Sequence, residues 1–343
     1  MTWLTWRQLR TPVGLVAALV GAVAIALVAT RPALMDLFRA TGMETCGSNC
    51  EAEAKDFLLR SEDLAAAPLF LVGIAVLYLV PAIIGIFWGA PLIARELESG
   101  TYRLVWSQSI TRTRWLAVKL LAGAAAAMLT AGLLSLVVTW FSSPFDTVRD
   151  NRLIPEVFGA RGVVPIAYAG LAFALGVLIG VVLRRTVPAM ALTLVLLAAI
   201  QVVMPTLVRG HLIPPLHDNA ALTAQPSGAG GDSFEEMIMS MDGSISVVPK
   251  LAKPGAWVLS NRAVTADGST FRGPFDPASC GREATGGPGK CEKWVLSQNL
   301  RQDAVYQPAS RYWPLQWVES GLILLVTALL SLLTFWWVRR RLS

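Results

Sequence analysis

The chain has 343 residues, of which 54% are apolar and only 15% charged, with a mean hydropathy of +0.55. A soluble protein of this length does not carry so little charge, so the composition reads as an integral membrane protein. The net charge of +6 does not call for nucleic acid: no basic patch is interleaved with aromatics, and membrane proteins gather Arg and Lys in their cytoplasmic loops.

Residues 1–10 place Trp3, Trp6, Leu4 and Leu9 beside Arg7 and Arg10, which predicts an amphipathic helix on the cytoplasmic face. Residues 11–207 then carry five apolar spans. The first, Thr11 to Thr30, is long enough to cross about 30 Å of hydrocarbon. It reads as a retained anchor and not as a signal peptide, because its small-residue triplet Ala24-Ile25-Ala26 lies inside the apolar run. Residues 31–66 are charged, with an acidic excess, and carry Cys46 and Cys50; both features point outside the cytosol. The second span, about Ala67 to Ile93, contains Pro81, Gly85, Gly89 and Pro91, so a kinked or loosened backbone is predicted there. Gly85 and Gly89 would permit close helix contact or line a conduit.

A polar island follows at residues 94–119, with Arg95, Arg103, Arg112, Arg114 and Lys119 among its members. The third span runs from Trp115 to Phe141 and the fourth from Val163 to Leu183, the latter closing on Arg184 and Arg185. The fifth, Val187 to Leu207, holds Gln201 as its single strongly polar side chain, which suits either a passage wall or a bond to a neighbouring helix. Small residues four apart in spans one, three and four (Gly14, Ala18, Ala22, Ala26; Gly123, Ala127; Ala172, Gly176, Gly180) predict close packing. No span carries a charge near its middle, which disfavours a carrier coupled to protons or sodium.

Residues 208–314 are rich in Gly, Pro and Ser and read as a loop-rich mixed extracytoplasmic domain. Within them Ser233 and Glu236 suggest a capping box opening a short helix, Phe234 to Met241, lined by Met237, Met239 and Met241. His211 and His217 lack the neighbours of a metal site. The run Gly286 to Cys291 has Ala284 where a phosphate loop needs its first glycine and Cys291 in place of Ser or Thr, and reads as a turn. Residues 315–343 supply a sixth span and a basic tail, Arg339 to Arg341, preceded by Trp336 and Trp337.

The fold class is therefore an all-α polytopic membrane protein with six transmembrane helices and both termini cytoplasmic. That arrangement places every arginine cluster on one side and Cys46, Cys50, Cys280 and Cys291 on the other, where disulfides form. Four cysteines allow three connectivities; the simplest pairs Cys46 with Cys50 and Cys280 with Cys291. No span offers paired acids, a His cluster or a nucleophile with its base, so the chain reads as no enzyme.

The run Arg95-Glu96-Leu97-Glu98-Ser99-Gly100-Thr101, followed by Ser107 to Arg112 and by Lys119, resembles the cytoplasmic loop of ABC-2 type exporter permeases, with Ser109 where many members have Pro. The layout of six spans with a larger external segment between the last two is similar as well. The resemblance implies that the loop is a coupling helix seated on a separate ATPase, which would hold ATP and Mg while this chain binds no cofactor. In that role Glu96 and Glu98 would meet basic groups of the ATPase. Gly100 would permit a sharp turn, Thr101 would cap a helix from Tyr102, and Arg103 and Trp106 would contact the partner; Arg112 and Lys119 complete the set. The implied partners are two ATPase copies, a second permease copy and membrane lipid. The place is a multi-pass cell membrane, bacterial inner or plasma membrane, and the cargo an amphipathic drug, peptide or lipid-like molecule. A membrane-anchored sensor or envelope-assembly factor, binding a ligand through the external domain, is the alternative.

Overall fold

A computed structural model describes residues 2–47, 50–101, 111–149, 152–222, 234–240, 244–274, 276–280 and 288–341, and statements of number or absence below refer to these. The chain divides into a helical unit, Met1–Leu212 with Tyr312–Ser343, and an inserted unit, Ile213–Arg311.

The elements in chain order are α1 (Thr2–Ala40), α2 (Glu51–Asp63), α3 (Ala66–Ile84), a π-helical turn (Gly85–Gly89), α4 (Ala90–Ser99), α5 (Arg112–Phe141), α6 (Ser143–Arg149), α7 (Pro155–Phe158), α8 (Val164–Leu183) and α9 (Thr186–Val203). A second π turn (Met204–Val208) and a 3-10 turn (Arg209–His211) lead into β1 (Leu216–Ala221), β2 (Phe234–Met239), β3 (Ser244–Pro249), β4 (Trp257–Val264) and β5 (Gly273–Pro274). The chain then forms α10 (Pro277–Cys280), α11 (Pro288–Leu296), β6 (Arg301–Gln307) and α12 (Tyr312–Arg341). Six helical stretches are long and apolar enough to cross a membrane: Val13–Ala40, Ala66–Ser99, Arg112–Phe141, Val164–Leu183, Thr186–His211 and Ala309–Arg341.

The first helix runs ten residues beyond Thr30, past the point where the apolar composition ends. The stripe Leu27, Leu34 and Phe38, buried at helical spacing, explains the extension. Arg31 is accommodated because its Nη1 donates to the carbonyl of Phe141 at 2.7 Å and its guanidinium lies 4.6 Å from the Trp140 ring. At this end Phe38, Phe57, Phe70, Phe141 and Phe145 form a chain of ring contacts that packs α2 against α1, α3, α5 and α6. Cys46 is bonded to Cys50, between α1 and α2.

The helical unit is built around α8. This helix is apolar on every side, as a helix surrounded by protein must be, and 17 of its 20 residues are buried. Its stripe of Ala172, Gly176 and Gly180 faces the loosened part of the second span. A Cβ on Gly176 would stand 2.8 Å from the backbone nitrogen of Ala90, one on Gly89 2.6 Å from the carbonyl oxygen of Phe173, and one on Gly85 2.9 Å from that of Ala172. Backbones this close exclude any side chain, so the glycines act in helix packing. The predicted loosening has its form in the π turn, where the backbone between Pro81 and Pro91 gives up regular α-helical bonding. The small residues of α1 differ: Gly14, Ala18 and Ala22 are exposed, with nothing within 4 Å of a Cβ on Gly14.

The inserted unit has two three-stranded antiparallel sheets, ordered β1-β6-β4 and β2-β3-β5. The helix expected over Phe234 to Met241 is instead the strand β2. Its residues pair with β3, whose alternation of buried Ile245, Val247 and Pro249 demands a strand partner, and cross-strand pairing overrides the local capping signal. Ser233 and Met241 lie outside the described residues. Cys280 is bonded to Cys291, packed in a small core with Ile245, Val247, Val295 and Leu300. The stretch read as a turn at Gly286 to Cys291 is helical from Pro288 onward, in α11; Gly286 and Gly287 lie outside the described residues.

Candidate functional site

The polar island enters from α4, which ends because Gly100 adopts a left-handed conformation, φ +72°. Ser99 Oγ donates back to the carbonyl of Arg95 at 2.8 Å and shares a 3.0 Å hydrogen bond with Thr101 Oγ1. Residues 102–110, with Arg103 and Trp106, lie outside the described residues, as does the helix that Thr101 was expected to cap. The chain resumes at Thr111, whose extended backbone and Oγ1, accepting from the Arg114 nitrogen at 3.4 Å, form the N-cap of α5.

The two glutamates of the island turn inward to the chain itself. Glu96 is buried, and its Oε1 accepts from Lys119 Nζ at 2.5 Å, joining α4 to the second turn of α5. The ammonium also lies 4.7 Å from the centre of the Trp115 ring. Glu98 sits on the exposed side, and its Oε2 accepts from both the backbone nitrogen and the hydroxyl of Thr186, at 3.0 and 2.7 Å. Thr186 is the first residue of α9, so Glu98 places a carboxylate at that helix's N-terminus, where unpaired N–H groups and the helix dipole favour negative charge. In this structure each carboxylate is engaged within the chain: burial obliges Glu96 to find a counter-ion, and the start of α9 needs an acceptor.

Around this end the charge left on the surface is basic. Arg95, Arg114, Arg184, Arg185, Arg339, Arg340 and Arg341 are exposed, while Arg112 is half-buried. Among the predicted conduit residues, Gln201 donates through Nε2 to the carbonyl of Tyr78 at 2.9 Å, bonding α9 to α3; Gly85 and Gly89 face α8, as described.

At the opposite end of the helices lies a buried polar network. Arg209 and Glu319 form a two-pronged ion pair, Nε to Oε2 at 2.7 Å and Nη2 to Oε1 at 2.9 Å, with both side chains almost fully enclosed. Arg209 Nη1 donates to the carbonyl of Pro155 at 3.1 Å, and the Tyr168 hydroxyl donates to Glu319 at 3.3 Å. Three residues before Glu319, the buried Gln316 uses its whole amide: Oε1 accepts from the nitrogens of Val163 and Val164, and Nε2 donates to the carbonyls of Phe158 and Arg161. Arg161 in turn holds Asp146 through two 2.6 Å bonds. Spans five and six are therefore fixed to the start of α8 by charge and amide as well as by apolar packing.

Sequence reasoning missed this network. Arg209 falls just past the apolar run of span five and by composition belongs with the external segment. Glu319 lies inside span six, and its spacing of three from Gln316 marks a polar helical face that an apolar span keeps only when protein covers it. No group of three or more potential metal ligands occurs among the described residues.

A family model described as ABC-2 membrane transporter related matches residues 17–209, from α1 to the arginine of this network and over more than half of the chain. No curated protein and no solved structure matches. Six apolar helices of spanning length and this match together make the chain a multi-pass membrane protein and a membrane component of a transporter, and it belongs to the ABC-2 membrane transporter related family.

Proposed function

We propose that the chain is the permease subunit of an ATP-driven exporter. A separate ATPase subunit holds ATP and Mg, two permease copies pair in the membrane, and an amphipathic substrate leaves the cytoplasm or the inner leaflet. The exposed arginines at the ends of α4, α8 and α12 support a cytoplasmic position for that end of the bundle and for both termini. The inserted unit, with its Cys280–Cys291 bond, then lies on the oxidising side.

One observation carries the reading: the island is anchored at both of its glutamates. A load applied to residues 100–111 is transmitted to α5 through Glu96 and Lys119, and to α9 through Glu98 and Thr186. In this reading Arg103, Trp106 and Arg112 present the contact surface to the ATPase, while Gly100 holds the turn that aims it.

The test co-expresses the chain with ABC ATPase subunits from the same genome and reconstitutes any that co-purify with it. Glu98→Ala should leave assembly intact and lower export per ATP hydrolysed, because α9 loses its tether. Gly100→Pro, which cannot adopt φ +72°, should abolish assembly. If ATP turnover, assembly and export all survive both substitutions, the coupling role is wrong. If no ATPase associates with the native chain, the sensor or assembly-factor reading takes its place.

A further inference from the structure

The end of α12 and the turn between α8 and α9 bring unbalanced positive charge together. Arg184 adopts a left-handed conformation, φ +54°, that ends α8, and its Nη2 donates to the carbonyl of Arg341 at 3.1 Å. This bond brings Arg184 and Arg185 alongside the last turn of α12, which carries Arg339, Arg340 and Arg341, all five exposed. One carboxylate, Glu98 of α4, stands within electrostatic reach of Arg185 while bonded to Thr186, one negative charge beside five positive. No salt bridge joins any of the five to a carboxylate among the described residues. Five like charges drawn together beside a single carboxylate repel, and an anion supplied from outside lowers that cost.

The surroundings choose the anion. Arg340 lies 5.6 Å from the Trp336 ring and Arg341 5.8 Å from the Trp337 ring; Trp336 is 44% exposed, and Leu332 and Leu333 below it are exposed as well. A guanidinium layer above an indole above an aliphatic surface is the order of polarity met on going from the headgroups into the bilayer. Arginine forks match phosphate oxygens.

We infer that Arg184, Arg185 and Arg339 to Arg341, with Trp336 and Trp337, form a binding site for the phosphate of an anionic phospholipid whose acyl chains run along α12. The site stands on the chain's being a membrane protein and does not depend on an ATPase.

The test is native mass spectrometry of the full chain in detergent, titrated with dioleoyl phosphatidylglycerol or dioleoyl phosphatidylcholine. The native chain should retain the anionic lipid in preference. Each arginine near an anionic lipid surface contributes about a fivefold factor, so Arg184→Gln alone should weaken retention about fivefold, and Arg184→Gln with Arg340→Gln and Arg341→Gln roughly a hundredfold. Arg39→Gln with Arg60→Gln and Arg149→Gln, removing as much charge at the other end, should change nothing. The single variant guards against a misfolded triple one. Retention equal to that of the native chain in both Arg184 variants, or equal loss in the control, overturns the site. Glycerol phosphate bound as tightly as the lipid overturns the assignment to lipid.

Discussion

Replacing Glu319 by Gln removes one charge from the most enclosed ion pair in the molecule while keeping the shape of the side chain. Glu319 and Arg209 are 0% and 2% exposed at their side chains, and two bonds of 2.7 and 2.9 Å join them. Without the carboxylate's charge, the guanidinium keeps only neutral partners, the Pro155 carbonyl, the Tyr78 hydroxyl, the new amide oxygen and the face of the Phe158 ring 4.6 Å away. An uncompensated buried charge of this kind costs about 3 to 5 kcal/mol, and in a unit of this size each kcal/mol lowers the melting temperature by about 2 to 4 °C. The Glu319→Gln chain should therefore melt about 6 to 20 °C below the native one, and Arg209→Gln should do the same. Replacing both, Arg209→Met with Glu319→Leu, removes the stranded charge and should recover most of the loss, because a buried pair and a well-packed apolar pair are close in free energy. The assay is thermal unfolding in detergent followed by tryptophan fluorescence, read as a double-mutant cycle. If either single substitution shifts the melting temperature by less than about 2 °C, or if the double variant loses the sum of the singles, the pair is not a buried clamp.

Three further outcomes follow from particular contacts. Gly176→Ala should destabilise the helical unit by about 1 to 3 kcal/mol through overpacking, since its Cβ would meet backbone at 2.8 Å; Gly14→Ala, with open space around it, should be neutral or slightly stabilising in the same melting assay. Cys280→Ser with Cys291→Ser should lower the stability of the inserted unit by about 2 to 4 kcal/mol, measured as faster limited proteolysis within 213–311. Asp276 accepts from Ser279 Oγ at 2.6 Å and from the Ala278 nitrogen at 3.1 Å, which hold its carboxyl below the usual range. A carboxyl depressed by folding stabilises above its unfolded value, near 3.8, and loses that contribution as the pH falls through its lower folded value. The rate at which a phosphine reduces Cys280–Cys291 in the native chain, divided by the rate in Asp276→Asn so that the phosphine's own protonation cancels, should accordingly rise on going from pH 5 to pH 3.

Hydropathy alone located the six long helices, because crossing a bilayer and filling the inside of a bundle ask for the same apolar run. The glycines of the second and fourth spans were legible for a related reason: without the hydrophobic effect, close approach of helices depends on small residues. What escaped was pairing at a distance. Nothing near Glu96 in the chain announces Lys119, 23 residues on across the loop, and nothing near Arg209 announces Glu319, 110 residues on across the whole inserted unit. A charge beside an apolar run reads as an interfacial anchor until its partner is seen. The helix expected at Phe234 failed for the same reason, since β3 decided its conformation and local capping chemistry did not.

The position of α8 has a consequence for the bilayer. Its twenty residues rise about 30 Å, and with all but three of them buried it has little lipid against which to tilt or slide. A helix without such contacts, such as Val13–Ala40 with its 28 residues, can lean to meet a thicker or thinner membrane; α8 and the second span cannot follow it without breaking glycine-to-backbone contacts. The helix therefore acts as a gauge of fixed length, and mismatch with the surrounding bilayer is met by deformation of the lipid or a change in lean of the outer ring.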